Sequence, residues 1–453
     1  MMWVFTFVDA IQQGASFSFS LYVTSAFNQH SLTAYIGVMS GTIGGVLKLP
    51  LAKILDIFGR PQGYGIMIAF LTVGLIMMAA CDNVQTYVAA QIFYWIGSAL
   101  QTIITVWITG PLATAVYNGP GWRLFYGAFA IITVVVNAPL LALFWVNYRK
   151  AVRAGTIVPV KSTRTFVESF KHYLIEFDVG GLVLLTGGLV FFLLPFSLYS
   201  DQNGRWNSPL VSAFLIIGVL TLVGFALYER FIAPKNFIPY ELLLDRTVLG
   251  ACVVSGVFFI SFYCWNVYFF SFLQVVSGLN ITEATYVTNI YSIGACFRSL
   301  VVGLLIRWTG RFKWLALYFG VPVTMFGTGL MIHFRQPDVD VGWVVMSHIF
   351  IAFAGGAIVI TEQIAAMAAT THQYVAVVLA IEGMFSSVGG AIGSSASAAI
   401  WTGVFPANLA RYLPTEAQGN LGDIYAALPV QSSYPKGTPN RYAIEQAYGE
   451  SHK

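Results

Sequence analysis

The sequence predicts an all-α membrane protein made of two helix bundles and a central helix pair. Three observations carry this. Apolar residues make up 57% of the 453 and charged residues only 9%, where a soluble domain carries about a quarter charged. Twelve apolar runs approach the roughly 20 helical residues that cross a bilayer, and none alternates as barrel strands do. A charged turn, KLPLAKILDIFGRPQG at 48–63, joins two of those runs. Its core, Asp56-x-x-Gly59-Arg60, returns in weaker form as Arg307-x-x-Gly310-Arg311-x-Lys313. One turn used twice, between helices, predicts a duplicated scaffold.

In chain order the runs are 4–27, 33–52, 64–81, 87–116, 124–146, 178–199, 209–229, 247–275, 284–306, 315–333, 343–368 and 375–403. The 43 glycines suit close helix packing in lipid. The net charge of +4 comes from a few loops. With no basic face or tail to hold phosphates, nucleic-acid binding is not expected. Cys81, Cys252, Cys264 and Cys296 form no CxxC pair, so neither a disulfide framework nor a zinc site is indicated. The first run lacks a basic leader and exceeds signal-peptide length, so no cleavable signal is expected.

Loop charge predicts orientation, because cytoplasmic loops collect Lys and Arg. The turn around Lys48–Arg60 is then cytoplasmic. So are 147–177, with Arg149, Lys150, Arg153, Lys161, Arg164 and Lys171, and 230–246 and 307–313. The segments 200–208, 276–283, 334–342 and the tail after 403 fall outside. Between 53–63 and 147–177, however, lie three runs, and an odd number of crossings cannot start and end on one side. The run 87–116 is the suspect. As one helix it would span roughly 45 Å, too long for one crossing and too short for two. Sequence lost near 98–109, or one span that fails to insert, would each produce this.

Aligning the two turns divides the chain. Residues 1–146 form an incomplete N-terminal bundle and 147–177 a cytoplasmic linker. Residues 178–246 hold the central pair and its loop, 247–403 the C-terminal bundle, and 404–453 an extracytoplasmic tail rich in aromatics. Each bundle is one span short of six.

Two bundles with this turn after the second helix resemble the major facilitator superfamily, and the extra pair resembles its fourteen-span branch, of which about 12 spans stand here. Longer strings resemble the fungal siderophore-iron transporters: VDAIQQG at 8–14, KLPLAKILDIFGRPQG at 48–63, NGPGWR at 118–123, FALYERFIAPKNFIP at 225–239, LLLDRTVLGAC at 242–252, SFYCWN at 261–266 and TGRFKWLALYFGVP at 309–322. The resemblance covers essentially the whole chain. It departs in three places: that family has a longer region where 97–110 stands, a leading cytoplasmic segment and a final helix after the tail.

The resemblance implies that Asp56, Gly59 and Arg60, and the copy Arg307, Gly310 and Arg311, act as an inner gate. Gly59 permits a tight turn and Arg60 can hold a carboxylate or a helix C-terminus; the alternative is a positively charged anchor ended by Gly59 and Pro61. Asp9, Gln12 and Gln13 share one helix face. An ionisable group inside a span is by default functional, so this face is a candidate proton and substrate pathway, unless Asp9 sits at the water interface. Glu362 and Gln363 lie deep in 343–368, and Glu382 lies within 375–403. These are further pathway candidates, the alternative being structural charges paired between helices. Arg298 is either a substitution tolerated by snorkelling or a partner for one glutamate.

Tyr263, Trp265, Tyr268 and Phe269 cluster beside Asn266. Aromatic walls with amides suit a bulky ferric chelate, so Tyr263, Trp265, Asn266 and Tyr268 are candidate substrate contacts; ordinary helix packing is the alternative. The tail carries Tyr412, Tyr425, Tyr434, Tyr442 and Tyr448. It resembles the outer loop that the family uses in substrate capture, and without a following helix it is expected to be a poorly anchored end. Gly389-Gly390-x-x-Gly393 lacks the strand a phosphate loop needs and reads as close helix packing. The six histidines show no metal-ligand spacing, so no metal site, no cofactor and no enzyme are expected.

The sequence thus points to an importer of ferric siderophore chelates, coupled to protons by symport, in the plasma membrane or an endosomal or vesicular membrane. The chelator, not the protein, would supply the iron's ligands. The alternatives are proton-coupled drug efflux on the same scaffold, and an inactive truncated transporter or membrane sensor.

Overall fold

The structure, a computed structural model, describes residues 2–58, 60–97, 106–119, 121–155, 165–199, 202, 205–234, 240–371 and 374–452. Among the described residues there are helices and turns and no strand. The N-terminal helices are α1 (Met2–Ala26), α2 (Thr33–Val46), α3 (Lys48–Phe58), α4 (Arg60–Ala80), α5 (Val84–Gly97), α6 (Val106–Asn118) and α7 (Gly121–Arg153). A short helix, α8 (Phe166–Glu176), starts with a capping box between Thr165 and Glu168. It leads into the central pair, α9 (Val179–Leu193) and α10 (Pro209–Phe231). The C-terminal set is α11 (Arg246–Asn266), α12 (Phe269–Val275), α13 (Ile281–Thr309), α14 (Val321–Phe334), α15 (Val341–Ala368) and α16 (Val375–Tyr412). The tail folds into α17 (Leu421–Ala426), α18 (Leu428–Ser433) and α19 (Pro439–Ser451). Ten helical segments among the described residues are long and apolar enough to cross a membrane.

Glycine contacts set the directions of the helices. Gly37 of α2 faces Ser394 of α16, while Gly45 faces Ser387, so these two helices run antiparallel. Gly320 meets Ile358 and Gly327 meets Ile351, so the segment leading into α14 and α14 itself run antiparallel to α15. The start of α16, the turn at 307–313 and the α2–α3 corner therefore share one end of the molecule, here the basic end. The other is the far end. The two copies of the charged turn lie at the same end, as a duplicated scaffold requires.

The parity problem resolves within the run 87–116, which is not one crossing. Its described residues fall in two helices of opposite direction, α5 with 14 described residues and α6 with 13. Helix α5 leaves the far end antiparallel to α4, with Ala90 and Tyr94 against Gly74. Helix α6 returns to it, where Thr114 meets Thr282 at 2.6 Å. Together they make no net crossing, so α7 reaches the basic end with the expected polarity. Residues 98–105 lie outside the described residues.

The tail is a second correction. The last helix runs on to Tyr412, past the apolar run, and residues 413–452 fold against it. Ile424, Leu428, Ile444 and Tyr448 are fully buried, because 444 and 448 fall on one helix face and meet the stack of Trp401 on Phe405, 4.2 Å apart. Arg441, 3% exposed, donates to the carbonyl oxygens of Gln431 (2.9 Å), Tyr434 (3.4 Å), Gln274 (3.3 Å) and Val275. Its Nε donates to Glu445 Oε1 at 3.0 Å. One cation thus satisfies carbonyls of α12 and of the tail, and pins the tail across the far end as a cap.

Candidate functional site

The two halves meet along a long seam, and its two ends are built differently. At the far end several hydrogen bonds cross it. Tyr22 of α1 donates to Gln274 Oε1 at 2.7 Å. Tyr268 donates to the carbonyl of Ser31 at 3.0 Å. The ring of His30, fully buried, lies between Ser25 and Ser271, each at 3.2 Å. The cap joins in, with the N–H of Leu428 donating to Ser25 Oγ at 3.1 Å. These bonds close the seam at the far end.

Towards the basic end, the described side-chain bridge between the halves is one cation. Lys48, exposed at the start of α3, donates through Nζ to the carbonyl of Gly383 and to Ser387 Oγ, both at 2.8 Å. On the same helix Lys53 donates to the carbonyl of Glu176 at 3.3 Å. Beside Lys48 lies a buried acidic pair. Glu382, 4% exposed, accepts from Ser255 Oγ at 2.7 Å and from Ser386 Oγ at 3.1 Å. Glu362, 5% exposed, is near enough for the two charges to repel and lies by Ser255, but among the described residues neither of its oxygens makes a hydrogen bond of ordinary geometry. Helices α11, α15 and α16 hold this pair together, and their fit depends on glycine: a side chain at Gly389 would strike the Gly256 carbonyl, and one at Gly393 the Ile260 carbonyl. The sequence-level reading of these glycines as close packing therefore holds.

The remaining candidates fall into separate places. Gly310 ends α13 with a left-handed φ of 66° and donates to the Ile306 carbonyl at 2.8 Å, the conformation for which glycine is suited. Arg307 and Arg311 are exposed at that turn. The side chains of Asp56 and Arg60, the whole of Gly59 and the side chain of Asp9 lie outside the described residues. Gln12 is buried and donates to Ser16 Oγ within its own helix at 2.9 Å; Gln13 and Gln363 are half-buried.

Tyr263 packs on Gly390 and Gly393. Trp265 meets His348 edge to face at 5.2 Å, and its carbonyl accepts from Arg335 Nη1 at 3.0 Å. Burial pulls that guanidinium down to about 9, and it lies over the rings of Phe269 and Phe272. Asn266 is buried, and Tyr268 is stacked flat on Trp401 at 4.4 Å. The four aromatic-cluster candidates are thus spread from the α16 contact to the far-end closure and do not line one wall. Arg298 lies over the Phe319 ring at 4.2 Å; among the described residues its charge is in no ion pair with a glutamate.

Lys48, Ser255, His30, Gln274 and Arg441 are structural participants that sequence reasoning passed over. A lysine standing at the junction of an apolar run and the charged turn was the available signal for Lys48. Serines and amides in apolar runs carry none.

Comparison with known proteins decides the family. The chain is 58% identical over 480 residues to MFS siderochrome iron transporter 1 of Ajellomyces capsulatus, covering 100% of this chain and 82% of that protein. The chain belongs to the fungal siderophore-iron transporters of the major facilitator superfamily. Siderophore iron transporter mirB of Emericella nidulans is 40% identical, over 99% of this chain and 79% of its own length. The alignment with the Ajellomyces capsulatus protein runs over 480 positions against 453 residues here, so this relative carries residues within the aligned region that this chain lacks. A profile described as fungal trichothecene efflux pump (TRI12) matches residues 102–429.

Among solved structures, a POT family transporter in complex with 5-aminolevulinic acid aligns with a TM-score of 0.54 at 14% identity, over 95% of this chain and 93% of that one. A bacterial homologue of the human lysosomal transporter Spinster aligns at 0.52 and 14%, over 99% and 92%. These share the fold of this integral membrane protein. The named relatives and neighbours are transporters rather than enzymes.

Proposed function

We propose that this chain imports intact ferric siderophore chelates by proton symport. The substrate class rests on the names of the relatives. The coupling rests on one observation: Glu362 is buried beside a second carboxylate, and the nearby Ser255 hydroxyl is turned to Glu382, leaving neither Glu362 oxygen a hydrogen bond of ordinary geometry among the described residues. An ionised carboxylate in that setting carries a large desolvation cost, and an ionisable group inside a span is functional by default. Taking up a proton removes one of two repelling charges. Its loss restores the repulsion among α11, α15 and α16, the last of which packs on α2 and α3.

In this reading the protonation state of Glu362 biases the seam between its two open forms. Glu382 is held ready by Ser255 and Ser386. Lys48, with the turns at Asp56, Gly59 and Arg60 and at Arg307, Gly310 and Arg311, forms the inner gate. Asp9, Gln12, Gln13 and Gln363 complete the pathway. Tyr263, Trp265, Asn266 and Tyr268 meet the chelate once the far end opens. The basic end faces the cytoplasm, because Arg and Lys gather there.

Uptake of labelled ferric siderophore in cells lacking other carriers tests this. Uptake supports import. Resistance to toxins without uptake would point to efflux, the activity in the matching profile's description, and neither result would point to a sensor or an inert chain.

A further inference from the structure

Beside the contact between α4 and α7 lies a cleft of about 580 Å³ open to the outside of the bundle, within the range of ligand pockets; the basic end of α4 stays on α7, with Tyr64 against Phe144 and Gly65 against Leu141. Its floor and walls include Ile68 of α4 and Val134, Ala138, Leu141 and Trp145 of α7. These four α7 positions recur at helical spacing and form one stripe. The polar side chain in the lining is Asn137, and it is 1% exposed. Its Oδ1 accepts from Tyr64 at 2.5 Å and its Nδ2 donates to the Thr133 carbonyl at 2.7 Å. With Asn137 turned to those partners, the wall suits a hydrocarbon chain rather than a hydroxyl group.

The stripe does not stop at Trp145. One turn on, Arg149 lies over that ring, with Cζ 5.5 Å from its centroid, and one further turn on is Arg153. Both are exposed. A tryptophan followed by two cations at the end of an apolar groove has the order of a leaflet: chain, interface, headgroup.

We propose that this cleft is a binding site for an anionic phospholipid of the cytoplasmic leaflet. One acyl chain lies along Ile68, Ala138 and Leu141, and the phosphate rests on Arg149 and Arg153. The site is separate from the Glu362–Glu382 pair, and occupying it would brace α4 against α7.

The test is to purify the full chain from native membranes in mild detergent and to identify retained lipids by mass spectrometry. Wild type is expected to retain an anionic phospholipid. Filling the cleft with Ala138→Phe and Ala142→Phe should abolish retention, while Val219→Phe on the exposed face of α10 should not. Arg149→Gln with Arg153→Gln changes only exposed side chains. It should lower preference for anionic over zwitterionic lipid by roughly thirtyfold, two cations at the surface value for each. Equal retention in the filled variant and the α10 variant would overturn the proposal. So would a sterol or zwitterionic lipid as the retained species, or unchanged preference in the double-arginine variant.

Discussion

Lys48 of the N-terminal half and Gly383 of the C-terminal half are joined by a hydrogen bond of 2.8 Å, from Nζ to the carbonyl oxygen. The same ammonium reaches Ser387, so one side chain fastens α3 to α16 near the basic end. A hydrogen bond from a charged group contributes about 1.5–3 kcal/mol. Lys48→Met is therefore expected to shift the gate towards its open form by about tenfold or more. Labelling of a cysteine placed at Val46, fully buried where the two halves meet, checks this: it should react faster in the variant than with Lys48 intact. An unchanged rate would mean that Lys48 does not hold the gate.

The acidic pair gives the second prediction. Glu362→Gln keeps the shape of the side chain but cannot gain or lose a proton. The variant should still exchange labelled siderophore across the membrane, but should no longer accumulate it under a proton gradient. Glu382→Gln should impair transport in a different way, because Ser255 and Ser386 lose a charged acceptor. Uptake measured with and without a protonophore separates the two.

Glycine packing gives the third. Gly389 lies where any side chain meets the backbone of Gly256. Overpacking of this kind costs about 1–3 kcal/mol, so Gly389→Val should lower Tm in detergent. Gly224→Val on α10, where a Cβ meets nothing within 4 Å, should leave Tm nearly unchanged.

Arg441 gives the fourth. Its guanidinium satisfies carbonyls of α12 and of the tail, and a buried group left unsatisfied costs about 1–3 kcal/mol. Arg441→Gln should loosen the cap, which limited proteolysis would register as faster cleavage between 413 and 452. Arg411→Gln, an exposed neighbour, should not change the cleavage rate.

Much of the fold was legible because the bilayer imposes a length on each span and charge imposes a side. The duplicated turn, the central pair and the direction of each later helix all follow from these two rules. The run 87–116 was not legible: apolar character cannot distinguish one long helix from two of opposite direction, although the parity of the flanking loops signalled trouble there. The tail was misread because its burial depends on partners distant in sequence, Trp401 and Phe405 for Tyr448 and the α12 carbonyls for Arg441. Glu362 and Glu382 stood out as charges within apolar runs. Their proximity did not, although α15 and α16 are consecutive helices with a short connection that brings 362 and 382 to similar depth. The aromatic cluster at 263–269 illustrates the limit of spacing arguments: neighbours in sequence point to three environments, one of them a ring stack.

The most direct test of the account is accumulation of labelled ferric siderophore in proteoliposomes containing this chain, with an imposed proton gradient, comparing wild type with Glu362→Gln. The account predicts uptake above equilibrium when the outside is acidic, collapse of that uptake with a protonophore, and no accumulation in the variant. Accumulation indifferent to the gradient, or identical in the variant, would contradict it.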